Sequence, residues 1–221
     1  MFIEIKDIQK FLAKKGYRIR DPWDIVDLFE NKVAEYAGSK YAVALDSCTN
    51  ALFLSLKFLK ANGDVTIPKK TYLSVPSTIM HANCKPVFEN LEWSGIYRLK
   101  PYPIIDGATR FTKDMYVKNT FHCLSFHRKK VLAIGKGGMI LTNDKKAYNW
   151  FKLARYNGRN ERVDHKNIRN LNFLGWNMYM PPEQAARGLK IFFKTNDYNI
   201  DTGGSHTYKD ISKYKIFNEQ I

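Results

Sequence analysis

Hydrophobic and polar positions along the chain alternate between two periods. Between Asp21 and Gly38, apolar residues return at helical spacing at Val26, Phe29, Val33 and Tyr36, which predicts an amphipathic helix. Asp21 is placed to cap it, Pro22 suits its first position and Gly38 suits its end. Residues 41–45 (YAVAL) then form a short apolar run that reads as a buried strand. The polar turn DSCTN follows, and residues 51–63 predict an apolar helix closing at Gly63. The alternation repeats, with a strand at 64–68, a helix over 71–84 and a strand at 85–90. Short buried strands are expected at 103–106 and 122–126, then a strand at 138–144 and a helix from Lys145 to about Tyr156. Short β-runs alternating with helices predict an α/β fold, a three-layer α/β/α arrangement around a mostly parallel sheet. Residues 195–210 are polar and loop-like.

Composition sharpens this picture. The 221 residues, 44% apolar and 14% aromatic, suffice for one sizeable domain with a packed core, or two small ones. No run of about 18 apolar residues occurs, so no membrane span is expected. The first residues carry Glu4, Lys6 and Asp7 and no long apolar stretch, so no secretory leader is expected. Cys48, Cys84 and Cys123 are odd in number, far apart and form no CxxC pair, which argues against a zinc or other metal site and against a disulfide framework. A reducing cytoplasm is the natural compartment. The net charge is +15, but the lysines are dispersed and no nucleic-acid-binding motif accompanies them, so no nucleic-acid partner is expected. Phosphorylated small molecules would be attracted to such a surface.

Candidate chemistry gathers at the strand ends. In a parallel sheet the loops after the strands share one edge, where ligands bind. Asp46–Asn50, Asp106–Arg110 and Ser125–Lys130 would all lie there. Small polar residues at a helix start can hold an anion; on this turn alone, a simple helix cap by Ser47 or Thr49 is the better reading. A lysine whose pKa is lowered in a partly desolvated pocket can bond covalently to a carbonyl. An aspartate beside a pyridinium nitrogen keeps that nitrogen protonated. Phosphate turn, carboxylate and lysine together describe a site for pyridoxal phosphate.

Several ordered motifs carry a family resemblance. FENKVAEYAGSKYAVALDSCTNALFLSL is similar to FExxxAxYxGxxxAVAxSSGTxALxLAL, and SFHRKKVLAIGKGGMILTND aligns without a gap to SFHPTKxxTxGEGGxxxTND. VTIPKKTYLSVPSTIMHANCKPVFEN, ARYNG and LGWNMYMPPEQAARGL match further segments in the right order. Over most of residues 28 to 190 the chain resembles the DegT/DnrJ/EryC1/StrS family of sugar aminotransferases, which implies the large domain of the type I pyridoxal-phosphate transferases. The resemblance implies Lys130 as the cofactor-bearing lysine, with Lys129 at the family's threonine. It implies Asp106 as the pyridine-nitrogen aspartate; a one-residue shift would bring Gly107 there, and the need for a carboxylate favours Asp106. Thr109 then stands near the ring hydroxyl, and Tyr72 stacks on the ring unless it simply packs in the core. Ser47, Thr49, Asn50 and Ser125 are the implied phosphate residues. Asn177 corresponds to an asparagine that reaches the neighbouring subunit's phosphate, which implies a homodimer. Cys48, Lys136 and Tyr179 depart from the family's glycine, acid and arginine, and the loop between Asp106 and Lys130 is short.

The expected division is a cofactor-binding domain over 1–194 and an irregular tail over 195–221, without the family's C-terminal small domain. The implied activity is transfer of an amino group, from a donor such as glutamate, to a nucleotide-linked keto sugar for polysaccharide biosynthesis. The alternative is a degenerate pyridoxal-phosphate-fold protein acting as a binding or regulatory partner.

Overall fold

A computed structural model describes residues 5–218. The ends of the expected 1–194 and 195–221 segments, and the start of the stretch read for a leader, lie outside these described residues. Among the described residues, seven strands and six α-helices follow the predicted alternation. In chain order they are α1 (Ile5–Ala13), α2 (Trp23–Ala37), β1 (Tyr41–Leu45), α3 (Cys48–Phe58), β2 (Gly63–Pro68), α4 (Ser74–His81) and β3 (Cys84–Glu89). Then come β4 (Tyr97–Leu99), β5 (Ile104–Asp106), β6 (Phe121–Ser125), β7 (Gly138–Thr142), α5 (Lys145–Ala154) and α6 (Pro182–Phe192).

The main sheet has the order β1-β7-β6-β5-β4, and β2 and β3 form a parallel pair. Reciprocal backbone hydrogen bonds between Thr66 and Lys100, at 2.8 and 3.1 Å, attach β2 next to β4. The sheet is mixed rather than mostly parallel in its pairing: β5–β6 and β2–β3 are parallel ladders, whereas β1–β7, β6–β7 and β4–β5 are antiparallel. The cause is that β4 and β7 run against the others. β7 lies between β1 and β6 and opposes both, so β1, β6 and β5 still point the same way. The expected gathering of their carboxyl ends on one edge therefore survives the antiparallel ladders.

Period-2 alternation splits the core into two layers. Ala42 and Ala44 of β1, with Met139 and Leu141 of β7, face a cluster built with Phe29 and Val33 of α2 and Leu189 of α6. Val43, Leu45 and Ile140 face the opposite cluster, with Leu52 and Leu56 of α3, Ile79 of α4 and Phe151 of α5. This is the three-layer α/β/α arrangement.

Local chemistry moves some boundaries. α2 starts at Trp23, where the Trp23 amide donates to the Asp21 carboxylate at 2.7 Å, and ends at Gly38 with φ of 81°. α3 begins three residues earlier than expected because Ser47 caps it, accepting from the Asn50 amide at 3.2 Å. α4 is shorter at both ends: Thr71 and Tyr72 stay in the preceding loop, and Cys84 opens β3. After residue 195 the described residues hold only two short 3-10 turns, yet they are tied to the domain. Arg110 grips Asp201 at 2.9 and 2.7 Å, Gly95 donates to Gly203, Ser205 to Trp93, and Ile211 to Lys69. Ile211 and Phe217 are buried.

Candidate active site

Asp106 ends β5 and is buried. The Ala108 amide donates to its Oδ1 at 2.9 Å and the Tyr97 hydroxyl to its Oδ2 at 2.6 Å. Tyr97 is fixed in turn by Thr71, whose hydroxyl lies 2.6 Å from the phenol oxygen. Burial raises the Asp106 pKa; the two hydrogen bonds and the nearby Lys130 charge oppose that rise. Each carboxylate oxygen keeps a lone pair after these donations and can accept a further N–H.

β6 ends at Ser125, and the chain turns at His127, where the Lys130 amide donates to the His127 carbonyl at 2.9 Å. That turn leaves Lys129 exposed and Lys130 half-buried. Burial lowers the Lys130 pKa, while the Asp106 carboxylate and the Cys48 thiol pull it back up. Lys130 and Asp106 thus feel each other's charge from two separate loops of the same sheet edge.

The turn after β1 completes that edge. Gly138, the first residue of β7, pairs with both Leu45 and Ser125. A Cβ at Gly138 would sit 2.2 Å from the Ser47 carbonyl carbon, so only glycine lets β7 approach the turn this closely. The amides of Cys48 and Thr49, in the first turn of α3, have no acceptor among the described residues. The Cys48 side chain is buried in the core beneath α3, with its thiol pKa raised well above the ordinary value by burial.

The structure brings Ser47, Asn50, Ser125, Asp106 and Lys130 to one edge and distributes the remaining candidates differently. The Ser47 hydroxyl and the Asn50 amide side chain point at Asp46, and the Thr49 hydroxyl pairs with Ser74 at 2.8 Å. Ser125 accepts from the His127 amide at 3.4 Å. The Thr109 hydroxyl is buried and directed to the carbonyls of Gly95 and Gly203, at 3.0 and 2.9 Å, where it secures the C-terminal segment. Tyr72 is 61% exposed, with its ring edge-on to Tyr208 at 6.5 Å, so it is not a core residue. Asn177 is exposed beside the turn: its neighbour Met178 accepts from the Asp46 amide at 3.0 Å. Tyr179 packs edge-on against Trp23 and Tyr156.

Three further residues at this edge, Tyr97, Trp93 and Tyr208, carry no signal in the sequence. Tyr97 sits on the three-residue β4, too short to show a period. Trp93 and Tyr208 stack on each other at 5.7 Å beside Tyr97, and the Tyr208 phenol is pushed up to about 12 by burial and by Asp106. Asp46 reads as an ordinary turn residue. A cleft of about 530 Å³ between α2 and α5 lies elsewhere; Asp27, Glu30, Lys152, Glu161 and Arg162 line it, already paired with one another or with neighbours.

Comparison with known proteins gives the family and the fold. The model of the DegT/DnrJ/EryC1/StrS aminotransferase family matches residues 6–113 and 107–199. The chain belongs to this family. It is 25% identical to the spore coat polysaccharide biosynthesis protein SpsC of Bacillus subtilis (strain 168), over 88% of this chain and 62% of that protein. It is 28% identical to the GDP-perosamine synthase of Escherichia coli O157:H7, over 78% of this chain and 58% of that protein. The chain thus spans less than two thirds of the length of these relatives. Among solved structures it resembles DesV of S. venezuelae, with a TM-score of 0.65 and 18% identity over 85% of this chain and 61% of that one. It also resembles 3-amino-5-hydroxybenzoic acid synthase, with a TM-score of 0.66 and 16% identity over 86% and 61%. The fold is that of the type I pyridoxal-phosphate-dependent aminotransferases, and the family's cofactor is pyridoxal phosphate. The residues present fit that cofactor: a half-buried amine faces a buried carboxylate with free lone pairs, and unpaired helix amides lie beside a glycine cradle.

Proposed function

We propose that this chain binds pyridoxal phosphate through Lys130 and transfers an amino group, with glutamate as donor, to a nucleotide-linked keto sugar. The observation that carries the reading is the different placement of two adjacent lysines. Lys130 is half-buried and electrostatically coupled to buried Asp106, whereas Lys129 is exposed.

Pyridoxal phosphate, when bound, supplies the aldehyde that accepts the amino group and a ring that takes up electrons. The chain supplies the rest. Burial favours the neutral Lys130 amine, which can attack a carbonyl carbon and later hold or return a proton at Nζ. Asp106 offers a carboxylate oxygen to a ring N–H, and Tyr97 and Ala108 fix its orientation. Tyr72, exposed beside Tyr208 at the mouth, is placed to cover a flat ring. Ser47, Asn50 and Ser125, with the first-turn amide of Thr49, are assigned to the phosphate, while the Thr49 hydroxyl pairs with Ser74. Thr109 is assigned instead to anchoring the C-terminal segment.

The nucleotide-sugar class rests on the family and on the GDP-perosamine synthases among the relatives. The net charge of +15 favours approach of a diphosphate-linked sugar. We assign the working form to a cytoplasmic homodimer, in which Asn177 lies exposed in a segment that also presents Leu171 and Leu174 to solvent. An apolar surface of this kind is suited to pairing with a second copy.

Borohydride reduction of the protein with pyridoxal phosphate, followed by peptide mapping, tests the reading. The tag is expected on Lys130, and Lys130→Ala is expected to abolish it while Lys129→Ala retains it. A tag on Lys129, or none, overturns the reading. Conversion of the bound cofactor to its amine form by glutamate then separates an enzyme from a binding protein.

A further inference from the structure

Asp46 stands where the family pattern has the first serine of SSGT, and Lys136 where it has the acid of GEGG. The structure joins these two departures. Asp46 Oδ1 accepts from Asn50 Nδ2 at 2.6 Å and from the Ser47 hydroxyl at 3.2 Å, and its Oδ2 faces Lys136 Nζ at 3.5 Å. Two side chains suited to holding a phosphate are thus turned toward an anion that belongs to the chain itself. That carboxylate lies at the start of α3, where the helix dipole also favours it. A phosphate group brought to the same donors meets a like charge.

The pair is asymmetric. The Asp46 side chain is 23% exposed and held by two hydrogen bonds, whereas Lys136 is 70% exposed and reaches in from the loop before β7. Lys136 is therefore free to be shared between Asp46 and an incoming anion. The backbone holds the two together: β7 starts at Gly138, two residues beyond Lys136, and passes against Ser47.

We propose that Asp46 and Lys136 form a charge pair that sets this chain's affinity for the phosphate group of its cofactor. Asp46 competes with the phosphate for Ser47, Asn50 and the first turn of α3. Lys136 offsets that carboxylate and contacts the phosphate. The proposal deepens the cofactor reading above and rests on it.

The test compares pyridoxal phosphate with pyridoxal, which lacks the phosphate, on the full chain. Affinity is read by the absorbance of the bound cofactor. Asp46→Asn keeps the side chain's size and one acceptor oxygen and removes the charge. It is expected to tighten pyridoxal phosphate by about tenfold, the scale of one partly screened charge interaction, and to leave pyridoxal nearly unchanged. Lys136→Ala is expected to weaken pyridoxal phosphate by a similar factor and again to spare pyridoxal. The double variant is expected to fall back near the parent, because removing one charge of each sign leaves the local charge balance unchanged. If Asp46→Asn weakens binding, or moves both ligands equally, Asp46 is only a cap for α3 and the proposal fails. If pyridoxal phosphate labels Lys130 but both single variants leave the ratio of the two affinities unchanged, this proposal falls and the cofactor reading stands. If no form of the chain, Asp46→Asn included, binds pyridoxal phosphate, both fall together.

Discussion

His122 lies fully buried on β6, one residue before Cys123, which pairs with Asp106. Its Nδ1 accepts from the Val117 amide at 3.4 Å, and its Nε2 has no partner among the described residues. A Cβ at Gly107 would come 2.3 Å from Nε2, so the glycine after Asp106 makes room for this ring. Burial, with some help from Arg110, pushes the His122 pKa down to about 3. The folded protein holds the imidazole neutral, whereas the unfolded chain protonates it near 6.5. The folded-state pKa is the lower one, so this contribution is intact above about pH 6.5 and is lost as the pH falls from there toward 3. By pH 5 the loss amounts to about 2 kcal/mol. Asn at position 122 can still accept from Val117 but does not titrate. Urea unfolding at pH 7.5 and pH 5 is expected to show a smaller pH-dependent drop for His122→Asn than for the parent; equal drops would mean that other groups cause the acid sensitivity. At this scale the sequence was informative where a motif fixed the residue and silent where packing did. The placement of Lys130 and Asp106 at one sheet edge was legible because each lies in an ordered motif at the end of a strand. Asp46 was not, since its effect comes from facing Lys136, ninety residues away.

At the scale of elements, the site depends on how closely β7 approaches the start of α3. Gly138 has an ordinary place in a strand, and the constraint is space rather than backbone conformation. The added methyl of Gly138→Ala would lie 2.2 Å from Ser47 C and 2.4 Å from the Cys48 nitrogen, and these are backbone atoms that cannot rotate away. The strand or the turn must move, at a cost of about 1–3 kcal/mol, the usual range for overpacking. The turn carries the phosphate candidates, so cofactor affinity is expected to fall along with stability. Gly137→Ala is a control, because its new methyl meets the flexible ends of Ile134 and Met180. Thermal unfolding and cofactor titration of the two variants check this; the account of the cradle fails if Gly138→Ala binds as well as Gly137→Ala does. The sequence could show that β1, β6 and β7 exist, because each is a short stretch rich in apolar residues. It could not show direction. Two-sided burial makes a strand read as continuously apolar whichever way it runs, so the reversal of β7 was hidden. β4 was hidden for another reason: three residues show no alternation, and its identity comes from pairing with β5 and with Thr66.

For the whole molecule, the decisive feature is how the C-terminal segment is fastened across the strand ends. Composition alone marks residues 195–210 as loop, because they are polar and lack a period. Their order comes from long-range partners that no local pattern reveals. Asp201 takes two hydrogen bonds from Arg110, whose Nη2 also reaches the Ser94 carbonyl at 3.3 Å. From that anchor the segment runs past Gly95, Thr109 and Trp93, places Tyr208 on Trp93 beside the Tyr97–Asp106 pair, and reaches Lys69 through Ile211. The Arg110–Asp201 contact is two-pronged and only partly exposed, the arrangement in which a charge-assisted pair contributes more than an isolated surface bridge. Asp201→Ala leaves Arg110 without its partner and is expected to loosen the segment by about 1–3 kcal/mol, without unfolding the domain. The amides of Gly95, Thr202, Ser205 and Ile211, each bonded across the strap, should then exchange with solvent about tenfold faster or more. The amides of Val43 and Ile140, deep in the sheet, should keep their protection. Trp93 fluorescence should change with the strap, since Tyr208 stacks on that ring. Unchanged exchange at all four amides would show that the backbone bonds and the burial of Ile211 hold the segment without the ion pair. Acceleration at the sheet amides as well would make Asp201 a determinant of global stability rather than a fastening for the rim of the site.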